Sequence, residues 1–176
     1  MKKAITPSKL KTQVLGYPRI GAHRELKKAC EAFWKGKISE EELLDAGRQI
    51  RKATWLTQKD KGIDLIPSND FSFYDQVLDM CLMLDAIPSR YQDLKDNKSA
   101  LYFAMARGMQ KDGEDVIAME MTKWWDTNYH YIVPEFTKQQ QFKLFDDKAV
   151  REFKEAKSLG IQTVPVLIGP ITFLLL

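Results

Sequence analysis

Residues 15–28 carry basic side chains in a pattern that could bind an anion. A short strand and a glycine-bearing turn are predicted to lead into a helix, and Arg24 and Lys27 fall in its first turn. Because these residues are three apart, they share one face of the helix. Backbone N–H groups at a helix start and cationic side chains together favour a carboxylate or a phosphate. The pattern alone favours the alternative, an ordinary solvated helix face.

Residues 120–136 combine aromatic and polar side chains directly after a predicted strand. Five aromatic residues alternate there with the polar residues Lys123, Asp126, Asn128 and His130. Amphipathic aromatic groups with a few directed polar groups are typical of sites for ring-bearing ligands. In a barrel, such sites lie on the loops that follow the strands. The alternative is an aromatic cluster at the edge of the core, with His130 as a buried, hydrogen-bonded imidazole.

Familiar phosphate-binding, nucleophile and redox motifs are absent from the sequence. It has no glycine-rich phosphate loop, no nucleophile elbow and no CxxC. A zinc site built from His23, His130, Cys30 and Cys81 would lack paired ligand spacing. Both cysteines also fit the apolar faces of predicted helices. We therefore expect no metal site and no catalytic residue in this chain.

Composition indicates one domain with a hydrophobic core. The 176 residues are 44% apolar and 29% charged, and the formal net charge is +3. This charge is too small to indicate a nucleic-acid-binding protein. Two cysteines do not make a disulfide framework. The apolar stretch at 164–176 is interrupted by proline and is too short to cross a bilayer, so a cytoplasmic protein without a membrane span is expected.

Predicted strands and helices alternate along the chain, which indicates an α/β fold with a parallel sheet. We expect residues 1–13 to form a flexible leader and residues 14–176 to form the domain. Periodicity and capping residues predict helices near 26–34, 39–62, 72–84, 99–107 and 149–158. Strands are predicted at 14–18, 63–66, 116–121 and 163–168.

Four motifs in collinear order are similar to the cobalamin-independent methionine synthases. They are LGYPRIG at 15–21 with RELKK at 24–28, DLIPSNDFSFYD at 64–75, EMTKWWDTNYHY at 120–131, and GPIT at 169–172. The resemblance covers residues from about 14 to 176. Trp125 stands where phenylalanine is expected, a change that keeps an aromatic surface. Several long motifs in register are a specific signal.

The resemblance implies a methyltransferase of methionine biosynthesis. Its substrates would be 5-methyltetrahydropteroyltri-L-glutamate and homocysteine, bound between two (β/α)8 TIM barrels. This chain would supply about four βα units of the first barrel, which would be incomplete. The zinc ligands, the homocysteine pocket and the catalytic acid would lie in the family's C-terminal domain, so the chain by itself is expected to be inactive.

The resemblance also implies site residues. Arg24, Glu25, Leu26 and Lys27 correspond to the segment that binds the folate polyglutamate tail, and Lys123 corresponds to a second contact. Asn128 and His130 belong to the same motif and are further candidates. Two alternatives stay open. The chain could be a module with weak polyanion affinity, or an inert half-barrel whose exposed sheet edges associate with a second copy.

Overall fold

The computed structural model describes residues 10–111 and 113–176. Within them the chain forms six α-helices, one 3-10 helix and six short strands. In chain order these are α1 (Glu25–Trp34), α2 (Glu40–Asp60), β1 (Ile66–Ser68), α3 (Gln76–Met83), the 3-10 helix (Ser89–Leu94), α4 (Lys98–Arg107), β2 (Met109–Lys111), β3 (Glu114–Val116), β4 (Met121–Lys123), β5 (His130–Ile132), α5 (Lys148–Ser158), β6 (Thr163–Pro165) and α6 (Pro170–Leu175).

The parallel sheet pairs strands that lie far apart in the chain. β1 and β6 run parallel, with Ile66 opposite Thr163. Gln13 adds a parallel bridge to Leu65, on the residue before β1. The α/β class and the parallel pairing predicted from the sequence are confirmed. Gln13 lies within the predicted leader 1–13, of which residues 1–9 lie outside the described part.

The segment 116–121 was predicted as a further strand of this sheet, and that prediction is wrong. Only its ends are in strands, and both are antiparallel: β3 pairs with β2, and β4 pairs with β5. Backbone groups between β3 and β4 form hydrogen bonds to helices instead. The backbone N–H of Met119 donates to the carbonyl of Met105 at 2.9 Å, and the Ile117 carbonyl accepts the Tyr91 hydroxyl at 2.6 Å. These bonds replace a parallel ladder, so the four parallel strands expected from the sequence are not all formed.

The predicted helices are present, with small shifts at their starts. α2 begins with the expected capping box, in which the Ser39 hydroxyl accepts from the Glu42 N–H at 3.2 Å and the Glu42 carboxylate accepts from the Ser39 N–H at 2.7 Å. α3 is capped by Asp75 and not by Ser72, whose hydroxyl donates to Asp79 at 2.6 Å. α6 was not predicted; its proline at the first position suits a helix start.

The core lies between the helices and the two hairpins. The main cluster contains the fully buried side chains of Leu43, Val77, Leu78, Leu101 and Ile132. A smaller cluster packs α2 and α5 against the parallel sheet, with Trp55 donating its indole N–H to the Pro67 carbonyl at 2.9 Å. Cys30 and Cys81 are buried in the main cluster, as their helical positions predicted.

Candidate functional site

The loop 70–75, which follows β1, bonds to the segment that leads into α1. The Asp70 carboxylate accepts the Tyr17 N–H at 2.9 Å. Arg19 donates to the Tyr74 carbonyl at 2.5 Å. Burial raises the pKa of Asp70, and the Tyr17 N–H partly opposes this rise. The LGYPRIG turn is therefore held against the carboxyl end of β1, the end at which α/β proteins carry their sites.

The same loop also holds the β4–β5 hairpin, through Asp75. One oxygen of its carboxylate accepts the N–H of Leu78 at 3.0 Å, as the cap of α3, and the N–H of Ile132 in β5 at 3.1 Å. The Tyr102 hydroxyl accepts the Asp75 N–H at 3.3 Å. Burial raises the pKa of Asp75, although its two N–H donors pull the pKa down. Both candidate segments are thus bonded to one short loop.

Arg24 has an unusual backbone conformation at the start of α1. Its φ is 64°, in the left-handed region that a non-glycine residue adopts at a cost. The side chain is exposed, and in residues 10–111 and 113–176 it has no hydrogen bond or ion pair. Lys27 is also exposed and pairs with Glu31 at 3.5 Å. Leu26 points into the core with 4% exposure.

Glu25 already occupies the N-terminus of α1. Its carboxylate accepts the His23 N–H at 2.9 Å, and its own N–H and that of His23 lower the pKa of the carboxyl. The Leu26 N–H donates to the Ile20 carbonyl at 3.1 Å. Gly21 has a φ of 83°, which favours glycine, and a Cβ there would clash with the Glu25 carboxylate. The N–H groups predicted to be free for an anion are largely used, which leaves anion binding to the side chains.

The β4–β5 hairpin exposes its polar residues. Lys123 and His130 are opposite each other in the register, and both are exposed. The described residues include no ion-pair partner for Lys123. The ring Nδ1 of His130 lies 3.1 Å from the carbonyl of Asn128, which is also exposed. The alternative in which His130 is a buried core imidazole is therefore wrong.

Aromatic side chains form one face of this hairpin. The ring centroids of Trp124 and Tyr131 are 4.4 Å apart, and both residues are half-buried against the core. Trp125 and Tyr129 are 83% and 78% exposed. Trp125 has a φ of 46°, again in the left-handed region. Strained backbone of this kind is found at functional sites, and it occurs in both candidate segments as well as at Asn69 and Asp85.

The structure does not bring the two sets of candidates into direct contact. In the part of the chain that it describes, no hydrogen bond, ion pair or ring contact joins residues 24–27 to residues 123–130. In the described residues, the loop 70–75 bonds to the segment before α1 and to β5. A ligand that contacted both sets would therefore have to extend from one to the other.

A cavity of about 290 Å³ lies beside the hairpin at the carboxyl ends of β1 and β6. Its lining includes Trp124, Asn69 and Lys148. The Lys148 ammonium lies within 3.3 Å of four oxygens, on Asn69, Phe71, Asp79 and Glu152. Burial lowers the pKa of Lys148, but the two carboxylates outweigh it and the pKa is raised. The lysine is fully paired and therefore organises this end of the sheet without being available to a ligand.

Sequence reasoning missed this buried network. Its only local signal is the spacing of four residues between Lys148 and Glu152, which places them on one helix face. Asn69, with a φ of 60°, donates its side-chain amide to the Val166 carbonyl at 2.8 Å and so joins the ends of β1 and β6.

The described thiols and carboxylates are not arranged as a metal site. Residues 10–111 and 113–176 contain no group of three or more His, Cys, Asp or Glu side chains arranged to hold a metal ion. Burial raises the pKa of Cys30 to about 11, and it also raises the pKa of Cys81. Zinc binds thiolates, so these protonated thiols do not fit it. No helix in the described part is long and apolar enough to cross a membrane.

Comparison with known proteins agrees with the motifs. Residues 11–176 match the family described as "Cobalamin-independent synthase, N-terminal domain". A 5-methyltetrahydropteroyltriglutamate–homocysteine methyltransferase from Flavobacterium johnsoniae is 66% identical over 169 residues, which cover 95% of this chain and 22% of that protein. Proteins of the same name are 60% identical in Cytophaga hutchinsonii (92% of this chain, 21% of that protein) and 51% identical in Saccharomyces cerevisiae (95% and 23%).

The chain spans about a fifth of the length of these relatives. The family match nevertheless covers all but the first ten residues. The chain belongs to the cobalamin-independent synthase family, whose N-terminal domain its sequence matches.

Proposed function

We propose that this chain binds the polyglutamate tail of 5-methyltetrahydropteroyltri-L-glutamate, as part of a cytoplasmic enzyme that transfers its methyl group to homocysteine. The observation that carries the proposal is a pair of exposed cations, Arg24 and Lys123, which have no ion-pair partner in the described residues. They lie on two segments bonded to the same loop, 70–75. The relatives' name, which includes the triglutamate folate, supports the choice of ligand.

The chemistry of the tail suits these side chains. A glutamate chain presents several carboxylates spaced along an extended backbone, so it can meet cations on separate segments. Arg24 can bind one carboxylate through two N–H groups, while Lys27 and Lys123 supply point charges. Asn128 and His130 add polar groups beside Lys123. Glu25 would repel a carboxylate placed at the helix start, which favours contact through the outward-pointing side chains of Arg24 and Lys27.

Methyl transfer itself would need the rest of the enzyme. In the family's C-terminal domain, zinc would bind homocysteine as a thiolate and so make it nucleophilic at neutral pH. The residues described in this chain would bind and orient the folate. They offer no activated thiol or metal ligand set, so the chain alone would be inactive.

A titration of the chain with mono- and triglutamate 5-methyltetrahydrofolate tests the proposal. We expect tighter binding of the triglutamate form, and a preference that weakens as salt rises, because the added contacts are between exposed charges. Equal affinity for the two forms at low salt would refute tail binding. Isothermal calorimetry or fluorescence of the hairpin tryptophans would measure both constants.

A second candidate, association between two copies of the chain, is favoured by one observation. Apolar side chains on and around α6 are exposed: Leu167 by 55%, Ile171 by 74% and Leu175 by 81%. Exposed apolar patches of this kind mark contact surfaces. Light scattering on a sizing column would show a dimer if two copies pair through this surface, and a monomer at high concentration would exclude that pairing.

A further inference from the structure

Arg90 contacts both ends of the segment that carries the β4–β5 hairpin, residues 117–135. Its two terminal nitrogens donate to the two oxygens of Glu135, each at 2.6 Å. Its Nε donates to the Ile117 carbonyl at 3.3 Å. The neighbouring Tyr91 hydroxyl donates to the same carbonyl at 2.6 Å. Arg90, on the 3-10 helix, thus joins the first residue of the segment, Ile117, to its last residue, Glu135.

The surroundings of Arg90 hold it in this position. Its guanidinium carbon lies 4.6 Å from the centroid of the Tyr91 ring, and Tyr91 is completely buried. The Arg90 and Glu135 side chains are 30% and 39% exposed. A single exposed ion pair adds little stability. A two-point guanidinium–carboxylate pair fixes orientation, however, and here a third bond goes to a backbone carbonyl.

The hairpin tip is attached to the rest of the described chain by packing, through the half-buried Trp124 and Tyr131. Around the tip, the Trp124 N–H donates to the Tyr129 carbonyl at 2.8 Å, and the Thr127 hydroxyl donates to the Trp124 carbonyl at 2.6 Å. These bonds lie within the tip. The bond from the Ile132 N–H to the Asp75 carboxylate holds β5 to the loop 70–75. The position of Lys123 relative to the protein therefore depends on this packing and on how the ends of the segment are held.

We infer that Arg90 is a positioning residue for binding of the folate tail: it joins the two ends of residues 117–135 and so holds Lys123 and His130 where a ligand can meet them. This inference rests on the proposed function, because it assigns Arg90 a role only if Lys123 binds the tail. Arg90 itself need not touch the ligand.

The first experiment measures hydrogen exchange of the hairpin amides in the chain without ligand. Arg90→Met removes the charge and the planar donors but keeps an aliphatic stem over Tyr91. We expect several-fold faster exchange at Trp124, Ile132 and Val133. Arg48→Met is the matched control, since it removes an exposed pair with Asp45 on α2 (3.1 Å) that does not contact the hairpin. Unchanged exchange in Arg90→Met would overturn the inference.

The second experiment measures the affinities of the same variants for mono- and triglutamate 5-methyltetrahydrofolate. In Arg90→Met the triglutamate affinity should fall several-fold while the monoglutamate affinity holds. Arg90→Lys keeps the charge without the two-point pair, so it should lie between the wild type and Arg90→Met. Glu135→Gln, which keeps the shape of the partner, should act in the same direction and serves if Arg90→Met does not fold.

The two failures are distinguishable. In one outcome, the wild type prefers triglutamate, Lys123→Ala loses that preference and the Arg90 variants keep it. This outcome would refute the positioning role and leave the proposed function standing. If the wild type shows no preference for triglutamate, the proposed function fails, and the role of Arg90 in tail binding fails with it.

Discussion

Two residues in the candidate segments combine an exposed side chain with backbone strain. Arg24 and Trp125 both have a positive φ, and neither is glycine. For an L-residue this conformation costs about 1–2 kcal/mol. Such a cost persists only where the surrounding structure holds the residue in place. At Arg24 the strain accompanies a side chain that points into solvent without a partner in the described residues, which fits a binding role better than a structural one.

Arg24→Gly should separate strain from binding. Glycine adopts the left-handed conformation without strain but loses more freedom on folding, by about 0.5–1 kcal/mol. The free energy of unfolding should therefore stay level or rise by up to about 1.5 kcal/mol, while the preference for triglutamate falls. Urea denaturation and ligand titration measure the two effects. Arg24→Ala is the control, because it removes the same charge without relieving the strain. A stable variant that binds triglutamate as the wild type does would contradict the assignment.

Lys27→Ala and Lys123→Ala should weaken triglutamate folate much more than monoglutamate folate. Each charge-assisted contact in a partly shielded site contributes about 1–3 kcal/mol. The loss at Lys27 should be the smaller, because Lys27 shares its charge with Glu31. Lys154→Ala on α5 is the control, an exposed lysine outside both segments. Equal weakening of both folates, or an effect as small as in the control, would leave these residues as solvated surface.

At the scale of elements, Asp75 couples the start of α3 to the hairpin. Asp75→Ala removes the helix cap and leaves the buried Ile132 N–H without a partner. We expect a loss of about 2 kcal/mol or more in the free energy of unfolding. Both bonds go to one oxygen, so the amide oxygen of Asp75→Asn can keep them, and this variant should avoid most of the loss seen in Asp75→Ala. An equal loss in both variants would show that the charge, and not the two bonds, matters.

The stability of these variants relative to the wild type should depend on pH, because the wild type has a raised pKa at Asp75. Burial raises this pKa above its ordinary value of 3.8. The folded state therefore holds the proton more tightly than the unfolded state, and this contribution to stability is lost as pH rises through the raised pKa. Asp75→Asn has no such loss, so its stability relative to the wild type should increase with pH above 3.8. Urea denaturation across that range measures the difference, and the opposite slope would contradict the raised pKa.

At the scale of the whole molecule, the chain is expected to bind no zinc stoichiometrically. The Cys30 and Cys81 thiols are buried and their pKa values are raised, so forming a thiolate ligand would mean opening the core. Metal analysis of protein purified without an affinity tag measures this. One tightly held zinc per chain, lost in Cys30→Ser or Cys81→Ser, would contradict it.

The same material should form no methionine from methyl-folate and homocysteine above a buffer control.

Local signals in the sequence determined five of the six described α-helices, the α/β class and the family. Capping residues, glycine stops and helical periodicity act over a few residues, so they are readable without the fold. The motif at 64–75 was recognised as a resemblance, but its role was not. Only the tertiary structure brings Asp70, Tyr74 and Asp75 into contact with both candidate segments.

Tertiary contacts decided the remaining features, because they join residues that no local pattern relates. Residues 116–121 have the composition of a strand in a parallel sheet, yet bonds to Tyr91 and Met105 direct them into antiparallel hairpins. The pair of Arg90 with Glu135 joins residues 45 apart in the sequence. The Glu25 carboxylate can accept the His23 N–H at the start of α1 only because the turn at Gly21 brings these residues together. Backbone partners and ion pairs at such separations exist only once the chain has closed around its core.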